Sequence, residues 1–98
     1  MDTDDLSDET YEAVILTAEE FNHDLTLWFA LLASKCANEE EYLSKTEQTI
    51  KLWLKNKNMD NLMDEIFFGD LPGKKGFKDA ISNILKNIEN LKHANQKT

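Results

Sequence analysis

Arginine is absent from this chain, and residues that cross-link or interrupt a fold are scarce: the 98 residues include one cysteine, one proline and three glycines. Arginine is the side chain whose planar guanidinium binds a carboxylate or phosphate through two parallel hydrogen bonds, so its absence disfavours a substrate site built on such contacts. The single cysteine, Cys36, excludes an internal disulfide. Because Cys36 shares a helix face with apolar residues, we interpret it as a buried thiol rather than a nucleophile.

Long apolar runs are also missing, and none reaches the roughly 18 residues of a membrane-spanning helix. The opening segment, residues 1–6, is acidic and lacks the positive region and apolar core of a secretory or transit signal. We therefore expect a cytoplasmic protein without a membrane partner. Residues 1–6 and 94–98 are expected to be flexible.

Positive charge is nearly absent from residues 1–41, which hold twelve acidic side chains and one lysine, a net charge of −11. Residues 42–98 hold ten lysines and seven acidic side chains, a net charge of +3. The total of −8 disfavours a nucleic acid as partner, because affinity for nucleic acid depends on displacing counterions with a basic surface. A protein with a basic surface, or the basic end of another copy, is favoured instead.

Apolar residues recur at steps of three and four from Ser7 to Cys36, a spacing that indicates an amphipathic helix and excludes a strand. One continuous helix over residues 7–36 is predicted, about 45 Å long at the usual rise per residue. The residues of its apolar stripe are Tyr11, Val14, Ile15, Ala18, Phe21, Leu25, Trp28, Phe29, Leu32 and Cys36.

Three further helices are predicted, over residues 39–57, 60–68 and 76–93. Asn38, with Glu41 three positions later, is a capping-box-like start for the first of them. Since no segment alternates like a strand, the predicted fold class is all-α, a single domain over residues 1–98. The predicted architecture is an up-and-down helical bundle of three long helices plus one short helix.

The main predicted loop is residues 69–76, GDLPGKKG, which holds every glycine and the proline of the chain. Phe68 and Leu71 are expected to pin its ends to the core. Lys74 and Lys75 precede a helix whose free N–H groups favour negative charge, so the two lysines are a candidate anion site. The pair lacks the spacing and hydroxyl of a phosphate-binding loop, and solvated lysines are the plainer interpretation.

A candidate partner-binding surface follows from the side of the long helix that faces away from its apolar stripe. Leu27 and Leu31 lie on that side and would form the apolar centre of the contact. The alternatives are that both leucines pack between two neighbours in one bundle, or that they form a dimer seam together with Leu52. The acidic members of the predicted surface are Glu9, Glu12, Glu19, Glu20 and Asp24.

No arrangement of residues indicates catalysis or a cofactor. Glu20 and His23 have the Glu-x-x-His spacing of di-iron bundles, but both lie opposite the apolar stripe, and Glu89 and His93 are spaced by four. We therefore predict no catalytic residues and no metal ligands. The main hypothesis is a non-enzymatic module that binds or inhibits a basic partner; the alternatives are a homodimer or larger homo-oligomer with a structural role, and weak metal or anion binding.

Overall fold

The computed structural model describes residues 1–96 and their side chains as far as residue 93. Five α-helices follow a single 3-10 turn at Thr3–Asp5, and no strand occurs in the described residues. The all-α fold class is therefore confirmed. The helices are α1 (8–21), α2 (His23–Ser34), α3 (Glu39–Lys55), α4 (Met59–Ile66) and α5 (Lys74–Gln96).

The predicted continuous helix over residues 7–36 is wrong, because the chain turns a corner at Asn22. Asn22 is extended, with φ −164° and ψ 137°, and its side chain accepts a hydrogen bond from the Asp24 N–H at 2.8 Å. Asparagine favours this role because its short amide replaces the missing helical acceptor at a helix start. Beyond the corner α2 packs back against α1, including residues 11–16. Phe21 and Leu25 still serve one core, so the apolar spacing concealed the break.

The middle of α1 is wider than an ordinary α-helix, since Tyr11–Leu16 is a π-helical segment. The Asn87 side-chain amide of α5 donates to the Ala13 carbonyl at 3.1 Å and to Thr17 Oγ1 at 3.2 Å. The Thr17 hydroxyl in turn donates to the Glu12 carbonyl at 3.0 Å. Side chains thus bind backbone carbonyls of the widened turn and join α1 to α5.

Four of the helices form a closed ring of contacts. Helix α1 packs against α2 and α5, while α3 also packs against α2 and α5. Helix α4 is the short element and contacts α2. The bundle therefore has four main helices and one short one, because the corner at Asn22 divides the predicted first helix in two. The molecule measures 42 × 24 × 21 Å.

Aromatic side chains fill the centre of the bundle formed by these four helices. Phe29, Trp53 and Phe77 come from α2, α3 and α5, and their ring centroids lie 5.8 to 5.9 Å apart in successive pairs. Burial of each such side chain contributes about 1.5–3 kcal/mol. The buried hydroxyl of Tyr42 donates to the Phe29 carbonyl at 3.1 Å, and burial raises the pKa of Tyr42 well above its usual value. The core thus links α2, α3 and α5 directly.

The helix ends differ from the predicted ones by a few residues. Helix α3 begins as predicted, with Asn38 Oδ1 accepting from the Glu41 N–H at 2.8 Å, but it ends at Lys55 rather than residue 57. Helix α4 covers Met59–Ile66 instead of 60–68. Helix α5 starts at Lys74, two residues before the predicted start, and continues past residue 93.

Residues 1–6, predicted to be flexible, pack against the bundle. Leu6 is buried and the Met1 amino group donates to the Cys36 carbonyl at 2.8 Å. The prediction of flexibility for 94–98 falls partly on residues 97 and 98, which lie outside the described residues. Among the helices described, none combines the length and apolar character that crossing a membrane requires.

Candidate interaction surface

The acidic members of the predicted surface on α1 are exposed. We call Glu9, Glu12, Glu19 and Glu20 the acidic face. Leu16, which is not among the predicted surface residues, is also exposed and lines a shallow depression of about 330 Å³ with Glu19 and Glu20. Its position four residues after Glu12 and four before Glu20 was the signal that would have placed it on this face. The acidic face therefore has an apolar side chain at its centre.

The predicted apolar centre, Leu27 and Leu31, lies on α2 and is not covered by the other residues that the structure describes. Leu27 is 43% exposed and Leu31 is 62% exposed, whereas Leu25 and Phe29 of the same helix are fully buried. The two leucines are one turn apart, so their side chains are neighbours on the helix surface. The interpretation in which both pack between two neighbours of one bundle is therefore wrong. Because of the corner at Asn22, they sit on a different helix from the acidic face.

Asp24 has a contact that the sequence did not reveal. Its Oδ2 accepts a hydrogen bond from the backbone N–H of Phe68 at 3.0 Å. Its own N–H donates to Asn22 Oδ1, so the residue is held at both its backbone and its side chain. Asp24 thus fixes the start of the loop after α4 to the first turn of α2, besides adding negative charge there.

The loop over residues 67–73, here called the Phe68 loop, contradicts the expectation that Phe68 and Leu71 pin it to the core. Phe67 is buried at 3% exposure, whereas Phe68 is 85% exposed and Leu71 is also exposed. The Phe67 backbone is extended, and successive side chains of an extended chain point in opposite directions. Because α4 ends at Ile66, two residues before the predicted end, Phe67 points into the core and Phe68 points away from it.

Acidic side chains accompany Phe68 along the chain. Asp64, Glu65 and Asp70 all lie within four residues of it and are exposed. Lys74, the first lysine after the loop, forms an ion pair with Asp60 at 3.0 Å. The pairing occupies one half of the candidate anion site, while Lys75 is exposed. The surroundings of Phe68 in sequence are therefore acidic.

The residues considered for metal or nucleophilic chemistry lie apart. Glu20 and His23 are exposed on opposite sides of the break at Asn22. No cluster of three or more His, Cys, Asp or Glu side chains suited to a metal ion occurs in the part of the chain that the structure describes. Cys36 is buried, and desolvation raises the pKa of its thiol, which opposes formation of the nucleophilic thiolate.

A groove of about 350 Å³ runs between α1 and α5 beside the π-helical segment. Its walls combine carboxylates with amides, and it is open to solvent. The lining residues are Glu9, Glu12, Ala13, Asn87, Asn90 and Leu91. This groove brings two members of the acidic face next to the Asn87 contact, but none of the lining residues that the structure describes is a buried polar side chain able to orient a small molecule.

Leu52, the third residue of the predicted dimer seam, is 69% exposed on α3. Its neighbours one turn away or adjacent in the chain include Lys51 and Lys55, both exposed. Leu52 therefore lies among lysines, whereas Leu27 and Leu31 belong to the acidic part of the chain.

Comparison with known proteins found no family model, no curated protein and no solved structure that matches this chain.

Proposed function

We propose that this chain is a non-enzymatic interaction module that binds or inhibits a protein partner with a basic surface. The observation that carries the proposal is the exposure of Leu27 and Leu31, which are neighbours on α2. Both lie within residues 1–41, whose net charge is −11. Burying one leucine in a partner yields about 1.5–3 kcal/mol, so the pair supplies a useful apolar centre. The proposed surface comprises Glu9, Glu12, Glu19, Glu20, Asp24, Leu27 and Leu31.

The acidic face would act mainly on the rate and selectivity of binding. Exposed charges attract an oppositely charged partner over about 8–10 Å at ordinary salt and repel a partner of the same sign. They add little to the final affinity, because an exposed ion pair is worth at most about 1 kcal/mol. In this proposal the leucines supply affinity and the glutamates supply selectivity.

The test is affinity capture on the immobilised full chain, followed by kinetic titration of the captured protein after purification. The variant E12K/E19K should slow association by about tenfold or more at low salt, with little change in dissociation. E40K/E89K is the matched control, since it makes the same change in net charge at two exposed glutamates outside the surface. Equal association rates for the two variants, with helical content intact, would overturn the proposal.

Self-association is the second candidate, and the exposure of Leu52 together with Leu27 and Leu31 favours it. In this case the chain is a homodimer or larger homo-oligomer in which these leucines meet. Light scattering across a hundredfold range of concentration should show a mass above one chain, and L27S/L31S should reduce it to one. A wild type that stays monomeric at the highest concentration removes this candidate.

The proposal places the chain in the cytoplasm. A single buried thiol suits a reducing compartment, since no cysteine is available for the disulfides that secreted domains of this size often use.

A further inference from the structure

Phe68 is the most exposed of the large apolar side chains in the described residues, at 85%. A phenylalanine can bury about 150–250 Å² against a partner, so leaving it in water gives up a large apolar contribution. Many exposed apolar residues need no explanation, especially in loops that move freely. Phe68 differs because its backbone is held in place.

Three contacts fix the two ends of the Phe68 loop. The N–H of Phe67 donates to the Met63 carbonyl at 2.9 Å, and the next N–H, that of Phe68, donates to Asp24 Oδ2 at 3.0 Å. At the other end Lys74 pairs with Asp60 across the start of α4. Phe67 is buried beneath and packs edge-on against Phe77, with ring centroids 5.6 Å apart. The exposed ring therefore extends from an anchored backbone, so little backbone entropy remains to be lost on binding.

Asp24 also places Phe68 next to the leucine pair. Asp24 precedes Leu27 by three residues, which is about one helical turn, and Leu31 follows one turn later. From Asp24 to Leu31 the helix rises about 10 Å. The backbone of Phe68 is thus held about one turn before Leu27 and two turns before Leu31, although Phe68 is more than 35 residues away from both in the chain. The apolar centre of the proposed surface has an aromatic residue at one end.

Charge decides what can cover this aromatic residue. Asp64, Glu65 and Asp70 are exposed close to it in the chain, and Lys74 is already paired. An anionic membrane surface or an acidic protein would be repelled by these carboxylates, whereas lysines and arginines would be attracted. A large aromatic side chain that leaves water completely by filling a partner's pocket can contribute a dominant share of the binding energy.

We propose that Phe68 is the anchor of the contact, inserting into an apolar pocket on the partner protein that is rimmed by lysine or arginine, with Asp24 as its positioning residue. The inference rests on the proposed function and names the part of the partner that recognises this chain. It also assigns Asp24 a geometric role in place of a purely electrostatic one.

The experiment uses the full chain carrying p-benzoylphenylalanine at position 68, 31 or 52, expressed in the cells that make the protein. After irradiation, positions 68 and 31 should cross-link to the same basic protein, and position 52 should not. The identified protein is then purified and its Kd measured. F68S should weaken binding by about 30-fold or more, the size expected of a dominant interface residue. L52S, the matched control at another exposed apolar site, should change Kd by less than about threefold.

Asp24 is tested in the same titration. D24A removes the acceptor for the Phe68 N–H and should weaken binding by about tenfold, while D24N keeps an acceptor oxygen without the charge and should restore most of the affinity. If D24A and D24N are equally weak, Asp24 acts through charge alone and its positioning role is overturned.

The other outcomes separate the two proposals. Cross-linking from position 31 but not 68, or a Kd that F68S leaves unchanged, would overturn the anchor and leave the proposed function standing. Cross-links from neither position would overturn both. Cross-links to a second copy of this chain, to lipid or to an acidic protein would overturn the basic-rimmed pocket.

Discussion

The two pairs of helices in this bundle are held in different ways. In the α1–α2 pair a side chain shapes the connection, because Asn22 Oδ1 accepts from the Asp24 N–H and caps α2 at the corner. In the α3–α5 pair the helices run without a break, and Glu47 joins them through an ion pair with Lys92 at 2.8 Å. The α1–α2 pair therefore depends on one specific amide at its connection, whereas the α3–α5 pair depends on apolar burial with an ion pair at its edge.

The largest expected effect is loss of the core that both pairs share. Phe77 of α5 is fully buried and contacts Trp53 and Phe67. F77A should lower the free energy of unfolding by about 3–5 kcal/mol, because it removes apolar burial and leaves a cavity. F68A is the control for losing a phenyl ring and should change stability by less than about 0.5 kcal/mol, since that ring is exposed. Urea titration followed by circular dichroism measures both.

Were F68A instead as costly as F77A, Phe68 would be packed in solution. The description of an exposed side chain would then be wrong.

Next in size is the corner that divides α1 from α2. N22A removes the acceptor for the Asp24 N–H and should cost about 0.5–2 kcal/mol, the usual value of an N-cap. N22D keeps an acceptor in the same place and should recover most of the loss. Thermal unfolding of the three proteins measures the difference. An N22A protein as stable as the wild type would mean that packing alone makes the corner.

A smaller effect, confined to alkaline pH, belongs to Tyr42. Its pKa is raised in the folded state, mainly by burial, so above about pH 10 the unfolded chain loses the proton first. Stability should then fall with rising pH by at most about 1.4 kcal/mol per pH unit. Y42F lacks this group and should show a shallower decline, measured by urea titrations between about pH 9 and pH 11. If the wild type and Y42F lost stability equally with rising pH, the Tyr42 hydroxyl would have the same pKa in the folded and unfolded states, contrary to this prediction.

The smallest effect is expected from the ion pair between Glu47 and Lys92, which joins α3 to α5. Hydrogen bonding to Lys92, and to a lesser degree to Lys51, lowers the pKa of the Glu47 carboxyl. A carboxyl with a lowered pKa stabilises the fold at neutral pH, and this contribution is lost as the pH falls through the folded pKa. E47Q should therefore lose less stability than the wild type on acidification, with a difference below about 1 kcal/mol. E89Q, at an exposed glutamate of α5, is the control in the same acid titration.

The sequence predicted the α3–α5 pair better than the α1–α2 pair, for a physical reason. Helical spacing indicates which residues face the core, and Ile50 and Ile84 are fully buried on unbroken helices whose ranges were predicted to within a few residues. The same spacing does not reveal that a helix is interrupted at one residue when the side chains before and after the interruption pack into the same core. Phe21 and Leu25 are in this position. Asparagine is a residue type that favours a helix N-cap, but the apolar pattern continues through position 22 and indicates no boundary there.

The candidate surface was predictable in its composition and not in its arrangement. The positions of Leu27 and Leu31 opposite the apolar stripe are compatible both with exposure and with packing between two neighbours of one bundle, and only the folded arrangement distinguishes the two. The contact between Asp24 and Phe68 joins residues 44 apart and depends on how α4 approaches α2, which no local pattern contains. The expectation that Phe68 and Leu71 pin the loop to the core places the helix end at residue 68. The helix ends at Ile66 instead, and the extended backbone at Phe67 turns that ring inward and the Phe68 ring outward.

The corner at Asn22 also bears on the order in which the bundle assembles. A one-residue connection brings α1 and α2 together with a short loop, which costs little chain entropy to close. The hydrogen bond from Asn87 to the Ala13 carbonyl joins residues 74 apart, so closing the chain between them costs far more conformational entropy than closing the α1–α2 corner. We expect the α1–α2 corner to form early in folding and the α1–α5 contact to close the ring last, giving φ-values higher around Asn22 than around Asn87. Before that last step the π-helical segment of α1 lacks its bond to the Asn87 amide. The acidic part of the chain, residues 1–41, would then be folded as a helix pair that is not yet closed by α5.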